Sequence, residues 1–359
     1  MSNGKKINIV FPYNTVGGAF RSTYEISNRL TKKGFDVVIY FPFFPLMEGL
    51  KIFSIEGLLH FFKGIARSLI RRNNISWFDC KFKIYQIPSI NRHFIRDADV
   101  IIANHWPVAE PVFNLPKTKG EKYYFIRDVE QWASYYPLEV AAFNLNMKRL
   151  VVAHWIKDYL DNEFNLEVER VVTNGFNFEK FAVQKKEYSV TNPIISVIYS
   201  SHPMKAMNDA IKVLKEIKEK HPSTKIIFFG FGSKPKNISF EFEYIKGAKG
   251  EQVREIYAKS DIFFCPSIQE GFHNPPSEAM AAKCAVVATS VGSVPETIIH
   301  MENGLTMQPG DTAMMVDCID KLLRDYELRV ELSESAHRSI QNLTWDRSID
   351  ILEELFRGE

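Results

Sequence analysis

The residues best placed to do chemistry lie between an apolar run that ends at Phe264 and a helical pattern that begins at Pro275. This segment carries Glu270, and Glu278 follows it with seven residues between the two carboxylates. Pro275 and Pro276 suit the first turn of a helix, where the N–H that proline lacks would have no partner in any case. The backbone amides just before the prolines therefore point at whatever occupies the helix N-terminus.

This helix N-terminus is predicted to bind an anion. The aligned peptide dipoles give it partial positive charge, so a diphosphate is the natural ligand. Glu278, early in the helix, can accept hydrogen bonds from the vicinal hydroxyls of a ribose, and Glu270 lies in the loop, where it can approach a sugar. The alternative is that Glu278 only complements the helix dipole and Glu270 is a solvated loop carboxylate. Since the glutamates and prolines occur together, we favour the ligand site.

The elements that must position these residues form an α/β pattern. Short apolar runs alternate with longer segments of helical period, which is typical of a parallel sheet covered by helices on both faces. The predicted strands are 7–11, 37–40, 100–103, 123–126, 150–153 and 168–172, then 194–199, 225–229, 262–264, 285–288 and 305–307. Ligands of such sheets bind beyond the carboxyl ends of the strands.

The chain is predicted to form two doubly wound, Rossmann-like domains. Its 359 residues exceed what one core usually supports, and 45% hydrophobic with 25% charged residues is the composition of an ordered globular protein. Periodicity lapses in the polar stretch 182–193, which places the boundary between domains 1–182 and 183–344. The amphipathic segment 345–359 is predicted to be a helix that crosses back to the first domain.

Charge, cysteines and the start of the chain bound the setting. A net charge of +2 is too small to indicate a nucleic acid partner. The four cysteines are scattered, which favours a reduced, cytoplasmic compartment. The first residues lack the pattern of a signal peptide, and no later stretch has the length and apolarity of a spanning helix.

A glycine pair follows the first predicted strand. Gly17 and Gly18 allow the backbone to approach a ligand at a helix N-terminus, either on the acceptor side or around a phosphate. A tight strand-to-helix turn explains them equally well. The pair is not the Gly-x-Gly-x-x-Gly dinucleotide fingerprint, which argues against an oxidoreductase.

The segment around the two glutamates resembles a known family. Glu270 and Glu278, inside Pro-Ser-x-x-Glu-Gly-Phe and followed by Ala-Met-Ala-Ala, resemble the Glu-x7-Glu signature of retaining glycosyltransferases of family 4. The family's pattern is also met at 172–177, 230–232, 285–289, 292, 295–296 and 302–304. The resemblance covers most of the chain and is strongest from 262 to 304.

This resemblance implies a GT-B fold of two facing Rossmann-like domains and a nucleotide-diphosphate sugar as donor. It also implies that the transfer retains the configuration of the sugar and that the reaction needs no metal or other cofactor. Glu278 is expected to hold the donor ribose, Glu270 to contact the transferred sugar and Lys205 to neutralise the diphosphate. The remaining donor-binding residues expected by position are Ser201, Gly230, Gly271, Phe272, His273 and Asn274.

The chain departs from the family pattern in two places. The family usually has an arginine several residues before the lysine, and here none precedes Lys205 at that distance. Where a His-Asp pair is common in the first domain, this chain has Arg127 and Asp128. We interpret Arg127 as a replacement for the missing positive charge. His105 follows another strand and is either an acceptor-side residue or, as we slightly favour, a structural histidine.

The segment 55–72 has an apolar stripe at helical spacing, with lysine and arginine on another face. It fits a helix that rests on an anionic bilayer near a lipid-linked acceptor, at the inner face of the membrane. It fits equally a helix docked on the first domain, and an apolar stripe is more often core.

The function predicted from these features is a glycosyltransferase. It moves a sugar from a nucleotide-diphosphate donor to a glycan or glycolipid acceptor in polysaccharide or surface-glycan biosynthesis. Two alternatives remain open: a sugar-nucleotide epimerase of the same fold, which needs no acceptor, and a binding subunit without catalysis.

Overall fold

The computed structural model describes residues 4–15, 17–46, 62 and 77–358. These residues form two compact units. The first contains Met1–Asn174 and Trp345–Glu359, and the second contains Gly175–Thr344. The second unit begins earlier than the predicted residue 183, because Phe176 and Phe181 pack into its core.

The first unit is built on a seven-stranded sheet. Its strands are β1 (Lys6–Val10), β2 (Asp36–Pro42), β3 (Lys83–Ile87), β4 (Val100–Ala103), β5 (Glu121–Ile126), β6 (Lys148–Val151) and β7 (Arg170–Val171). All pair in parallel in the order β3-β2-β1-β4-β5-β6-β7. The chain changes direction across the sheet between β1 and β4, and this is where ligands of such sheets bind. The described α-helices that follow these strands are α1 (Gly18–Lys32), α2 (Trp106–Phe113), α3 (Tyr136–Phe143) and α4 (His154–Phe164).

The second unit repeats this plan with six parallel strands in the order β10-β9-β8-β11-β12-β13. The strands are β8 (Ile194–Ile198), β9 (Lys225–Gly230), β10 (Glu243–Lys246), β11 (Ile262–Cys265), β12 (Ala285–Thr289) and β13 (Leu305–Met307). The helices are α5 (Phe178–Phe181), α6 (Met207–Lys220), α7 (Glu251–Lys259), α8 (Asn274–Ala281), α9 (Val294–Thr297), α10 (Thr312–Arg324) and α11 (Tyr326–Ser339). Apolar side chains on both faces of the sheet form two buried clusters.

The apolar runs correctly predict the inner strands, but two edge strands escape them. β3 has the sequence KIYQI and β10 has EYIK, and both are partly exposed. An edge strand pairs on one side only, so polar and charged residues are favoured there and the apolar run is lost. The predicted doubly wound class is otherwise confirmed.

The last helix, α12 (Trp345–Arg357), packs on the first unit as predicted. The ring of Phe356 lies 6.5 Å from that of Phe35 and 5.5 Å from that of Tyr123. Lys33, after α1, pairs with Glu353 at 2.7 Å. An apolar stripe, closed at its rim by an ion pair, therefore fixes the C-terminal helix on the sheet that begins at the N-terminus.

The predicted amphipathic segment 55–72 lies outside the described residues, apart from Phe62. Within the part of the chain that the structure describes, no helix is both long and apolar enough to pass through a bilayer.

Replacing Phe356 by alanine is expected to lower the free energy of unfolding by about 3–5 kcal/mol, because a buried aromatic ring is lost and a cavity remains. Urea-induced unfolding of the whole chain measures this. The control Glu354→Ala, on the exposed face of the same helix, is expected to change stability by about 0.5 kcal/mol or less. Equal effects of the two variants would contradict the docking of α12.

Candidate active site

Three loops meet at the carboxyl edge of the second sheet. Since β11 pairs with β8 on one side and β12 on the other, the loops that follow these strands leave the sheet side by side. The loop after β8 carries Lys205, and the loop after β11 carries Glu270. The parallel sheet thus brings together residues that are far apart in sequence.

Main-chain hydrogen bonds tie these loops to one another. The N–H of Ile268 donates to the carbonyl of Met204 at 2.7 Å, and the N–H of Ser293 donates to the carbonyl of Phe272 at 2.6 Å. The hydroxyl of Thr289, at the end of β12, donates to the carbonyl of Ser267 at 2.5 Å. The loop after β11 is therefore held from both sides, which fixes the position of its side chains.

Gly292 permits the contact between the loops after β11 and β12. Its φ is +60°, and an added Cβ would lie 2.8 Å from the carbonyl oxygen of Phe272 and 3.0 Å from Cβ of Glu270. Only glycine allows this approach without displacing the neighbouring backbone.

Lys205 and Glu270 form an ion pair in the centre of this edge. Lys205 Nζ lies 2.5 Å from Glu270 Oε1, with the lysine and glutamate side chains 28% and 15% exposed. Burial acts to raise the pKa of Glu270, but the nearby His273 and Lys205 and the hydrogen bonds from Lys205 and Ser267 to the carboxylate outweigh it. The net pKa lies below the ordinary value. Glu270 is therefore ionised at neutral pH and held next to an ammonium group.

His273 is buried and contacts the Glu270 side of this pair. Its Nε2 lies 3.0 Å from Cys265 Sγ and 3.5 Å from Glu270 Oε1. Burial lowers the pKa of His273 to about 4, so the ring is neutral near pH 7. The standing positive charge beside Glu270 is then that of Lys205. The backbone of His273 is left-handed, with φ +82°, and this turn starts α8.

The N-terminus of α8 presents unbonded donors. Among the described residues, no partner accepts a hydrogen bond from the backbone N–H of Phe272, His273 or Asn274. In the same part of the structure, His273 Nδ1 and the hydroxyls of Ser277 and Ser293 are buried without a hydrogen-bond partner. A buried polar atom left unbonded costs about 1–3 kcal/mol. The clustering of such atoms here indicates a ligand site, and the free N–H groups indicate an anion.

Glu278 is half-buried in α8. One of its oxygens accepts a hydrogen bond of 3.5 Å from the hydroxyl of Tyr257, which is fully buried. This contact orients the carboxylate while part of it stays accessible. Its predicted part in ribose binding stays a prediction.

The other predicted donor residues of this unit have different environments. An added Cβ at Gly230, the last residue of β9, would lie 2.1 Å from the carbonyl oxygen of Tyr199. Glycine there allows close packing of the ends of β8 and β9. Gly271 is buried in the loop after β11, whereas Ser201 is exposed in the loop after β8.

The remaining predicted site residues lie in the first unit. Gly17 caps α1 without a side-chain hydrogen bond, and Gly18 begins the helix with open space around its Cα. Arg127 follows β5 and is 8% exposed; burial lowers its pKa to about 9. Asp128 accepts a hydrogen bond of 2.8 Å from the N–H of Val129. Burial lowers the pKa of His105, after β4, to about 4.

Sequence reasoning missed several residues of these edges. Ser293 and Ser277 are not predicted as site residues from the sequence, because neither is part of the Glu-x7-Glu signature as a named residue. Their hydroxyls nevertheless lie buried near the start of α8. In the first unit, Asn104 and Ser22 are also not predicted as site residues from the sequence. The only available signal was position, because Asn104 and Ser293 both follow the carboxyl end of a strand.

Two surface depressions lie away from this site. One of about 610 Å³ is lined by Glu121 and Lys148, and another of about 800 Å³ is lined by Lys225 and Glu243. These residues begin β5, β6, β9 and β10, so both depressions lie at the amino ends of strands. Among the described residues, no three His, Cys, Asp or Glu side chains are grouped closely enough to hold a metal ion.

Residues 179–339, most of the second unit, match the family model described as glycosyl transferases group 1. The capsular polysaccharide biosynthesis glycosyltransferase CapM of Staphylococcus aureus is 24% identical over 251 residues, which are 64% of this chain and 63% of that relative. The chain thus matches somewhat less than two thirds of the relative's length. These matches support the predicted family at the level of group 1.

Solved structures match the whole chain. A sucrose-phosphate synthase from Thermosynechococcus elongatus superimposes with a TM-score of 0.73 and 15% identity, covering 99% of this chain and 98% of that one. HepE from Anabaena, solved in complex with UDP and glucose, superimposes with a TM-score of 0.71 and 15% identity, covering 99% of this chain and 100% of that one. The predicted GT-B fold is therefore confirmed. At this identity the likeness shows the fold and not the activity.

Gly292→Ala is expected to lower the melting temperature more than Gly310→Ala. Both glycines have positive φ, so both variants are strained, but an added Cβ at Gly310 meets nothing within 4 Å. Thermal unfolding of the two variants isolates the clash with Phe272. If both variants lowered the melting temperature equally, the close contact between the loops after β11 and β12 would not contribute to stability.

The stability that depends on His273 is expected to fall with acid. Because the folded pKa of about 4 lies below the ordinary 6.5, the unfolded chain binds the proton first, and stability is lost as pH falls from 6.5 towards 4. The slope is at most about 1.4 kcal/mol per pH unit. His273→Gln removes this contribution, so the stability curves of the two proteins, measured in urea at several pH values, should converge in acid. Parallel curves would contradict the buried neutral ring.

Proposed function

We propose that this protein is a retaining glycosyltransferase that takes a sugar from a nucleoside-diphosphate donor bound by the second unit. The observation that carries the proposal is the N-terminus of α8, where unbonded backbone N–H groups lie next to an accessible ammonium and two carboxylates. Each group has a counterpart in such a donor. The N–H groups and Lys205 suit a diphosphate, and Glu278 suits ribose hydroxyls.

Lys205 is prepared for this task by its pairing with Glu270. In the unliganded protein the carboxylate holds the ammonium at the edge of the sheet, at a distance of 2.5 Å. An arriving diphosphate carries more negative charge than one carboxylate, so it competes for the ammonium group. Lys205 would then stabilise the charge that develops on the leaving diphosphate as the glycosidic bond breaks.

Glu270 is proposed to position the transferred sugar by accepting hydrogen bonds from its hydroxyls. Its lowered pKa keeps it ionised, which suits an acceptor of hydrogen bonds and excludes a proton donor at neutral pH. Retention by double displacement would require a carboxylate nucleophile at the anomeric carbon. We propose instead that the acceptor hydroxyl attacks from the face that the diphosphate leaves, and that a departing diphosphate oxygen takes its proton. A trapped glycosyl adduct on Glu270 would overturn this mechanism.

The acceptor is proposed to be a glycan or glycolipid bound through the first unit. The name of the CapM relative places that protein in capsular polysaccharide biosynthesis, and several of the loops at the carboxyl edge of the first sheet carry polar residues. No metal ion is assigned to the reaction, because Lys205 and the N-terminus of α8 supply the positive charge that a diphosphate needs.

Lys205→Met is expected to weaken binding of the preferred nucleoside diphosphate by about tenfold to a hundredfold, the usual range for a lost hydrogen bond to a charged group. Thermal shift with UDP, GDP, ADP and dTDP identifies the preferred base, and calorimetry then gives the affinity. Glu278→Gln is expected to weaken nucleoside diphosphates while leaving binding of inorganic pyrophosphate unchanged, because pyrophosphate has no ribose.

Lys212→Met is the matched control, since this exposed lysine lies on α6 near Lys205 in sequence. It should bind the preferred nucleoside diphosphate like the unaltered protein.

Turnover of the preferred sugar nucleotide only when a glycan acceptor is added supports a transferase. Conversion of the sugar nucleotide without acceptor would favour an epimerase, and tight binding without any turnover a binding subunit. Undiminished nucleotide binding by Lys205→Met would contradict the site itself.

A further inference from the structure

Arg127 is a buried charge without an ionic partner. It is 8% exposed, and its Nη2 donates to the hydroxyl of Ser22 and, at 3.1 Å, to Oδ1 of Asn174. Its Nη1 is buried with no hydrogen-bond partner, and its guanidinium stacks 4.4 Å from the ring of Phe125. Within the described residues, no carboxylate lies at ion-pair distance from it. Burying a guanidinium in this way is costly unless an anion compensates the charge.

The same edge of the first sheet carries a second unbonded donor. Asn104, directly after β4, is 1% exposed, and its Oδ1 accepts a hydrogen bond of 3.2 Å from the hydroxyl of Thr23. The Nδ2 of Asn104 is buried without a hydrogen-bond partner in the described structure. Ser22 and Thr23 are neighbours on α1, so the same turn of α1 contacts both Arg127 and Asn104.

The N-terminus of α1 faces this edge with unsatisfied donors. Gly17 caps the helix without a side-chain hydrogen bond, and the first turn has no acidic residue. No acceptor among the described residues meets the N–H groups of Gly18, Ala19 or Phe20. The pairing of β4 with β1 and β5 places Asn104, Arg127 and the start of α1 at the carboxyl ends of adjacent strands, where the direction of the chain changes.

The nearby acidic side chain does not fill this role. Asp128 follows Arg127 in sequence, but its Oδ1 accepts from the N–H of Val129 and no ion pair joins it to Arg127. Positive charge and free donors therefore converge at one edge of the first unit.

We infer that this edge is a pocket for an anionic group of a substrate, a carboxylate or a phosphate other than the donor diphosphate, bound by Arg127, Asn104 and the N-terminus of α1. The inference rests on the proposed function for the identity of the substrates, but the binding of an anion can be tested without it. The group belongs either to an acidic donor sugar or to a phosphorylated acceptor.

The first experiment measures anion binding alone. Melting temperatures are recorded with inorganic phosphate, glucuronate and neutral glucose for the unaltered protein, Arg127→Met and Lys205→Met. Glucuronate and phosphate are expected to stabilise the unaltered protein, and glucose is not. Arg127→Met should lose the glucuronate shift, whereas Lys205→Met, altered in the second unit, should retain it.

Arg127→Met puts a shorter apolar side chain in place of a buried charge that has no ionic partner, so without anion its melting temperature should not fall. Should this variant fail to fold, Asn104→Asp provides a second test. It is isosteric, and its added negative charge should abolish the anion shift. The pocket would be refuted if neither anion stabilised the unaltered protein, or if Arg127→Met kept the full shift. It would also be refuted if Arg127→Met weakened UDP binding as much as Lys205→Met, because Arg127 would then serve the donor diphosphate.

The second experiment identifies the source of the anion. One arm compares kcat/KM for UDP-glucuronate with that for UDP-glucose, and the other compares glucose 6-phosphate with glucose as acceptor. The charged member of one pair is expected to be preferred by about tenfold or more, and Arg127→Met should abolish that preference. No preference in either arm would contradict a substrate anion in this pocket. If the unaltered protein shows no turnover in either arm but is still stabilised by glucuronate or phosphate, the result contradicts the proposed function and not the anion pocket.

Discussion

The account depends on polar groups that the fold leaves unbonded at the N-terminus of α8. His273 Nδ1 and the hydroxyls of Ser277 and Ser293 are buried without partners, and the neighbouring backbone N–H groups are unbonded as well. Each such buried atom costs about 1–3 kcal/mol. The protein tolerates this cost because main-chain bonds between neighbouring loops and the close approach at Gly292 hold the groups in place. Donors fixed in this way do not need to reorganise when an anion arrives.

The ion pair of Lys205 and Glu270 gives this site its electrostatic character. A half-exposed lysine alone would sample many positions, whereas a largely buried carboxylate restrains it and is itself kept ionised. His273 remains neutral behind the pair, so one positive and one negative charge face the edge of the sheet. That balance allows an incoming diphosphate to take over the ammonium group, and it leaves the carboxylate to bind hydroxyls.

The sequence was sufficient for the parts of the structure that local patterns determine. Inner strands such as β4 and β11 are apolar throughout and were predicted, while the polar edge strands β3 and β10 were not. The spacing of Glu270 and Glu278, and for Lys205 the resemblance to the family, predicted that these three residues belong to one site. The contact of His273 with Cys265 could not be predicted. That contact depends on how the loop after β11 folds back on the end of its own strand. The unpaired burial of Arg127 could not be predicted either, since it depends on which elements the sheet brings together.

A structure of the protein with its preferred nucleoside diphosphate tests the central claim most directly. The account predicts phosphate oxygens about 3 Å from the backbone nitrogens of residues 272–274, at hydrogen-bond distance, with Lys205 Nζ turned towards the same phosphate. A diphosphate bound elsewhere, with those N–H groups still unbonded and Lys205 still paired with Glu270, would contradict it.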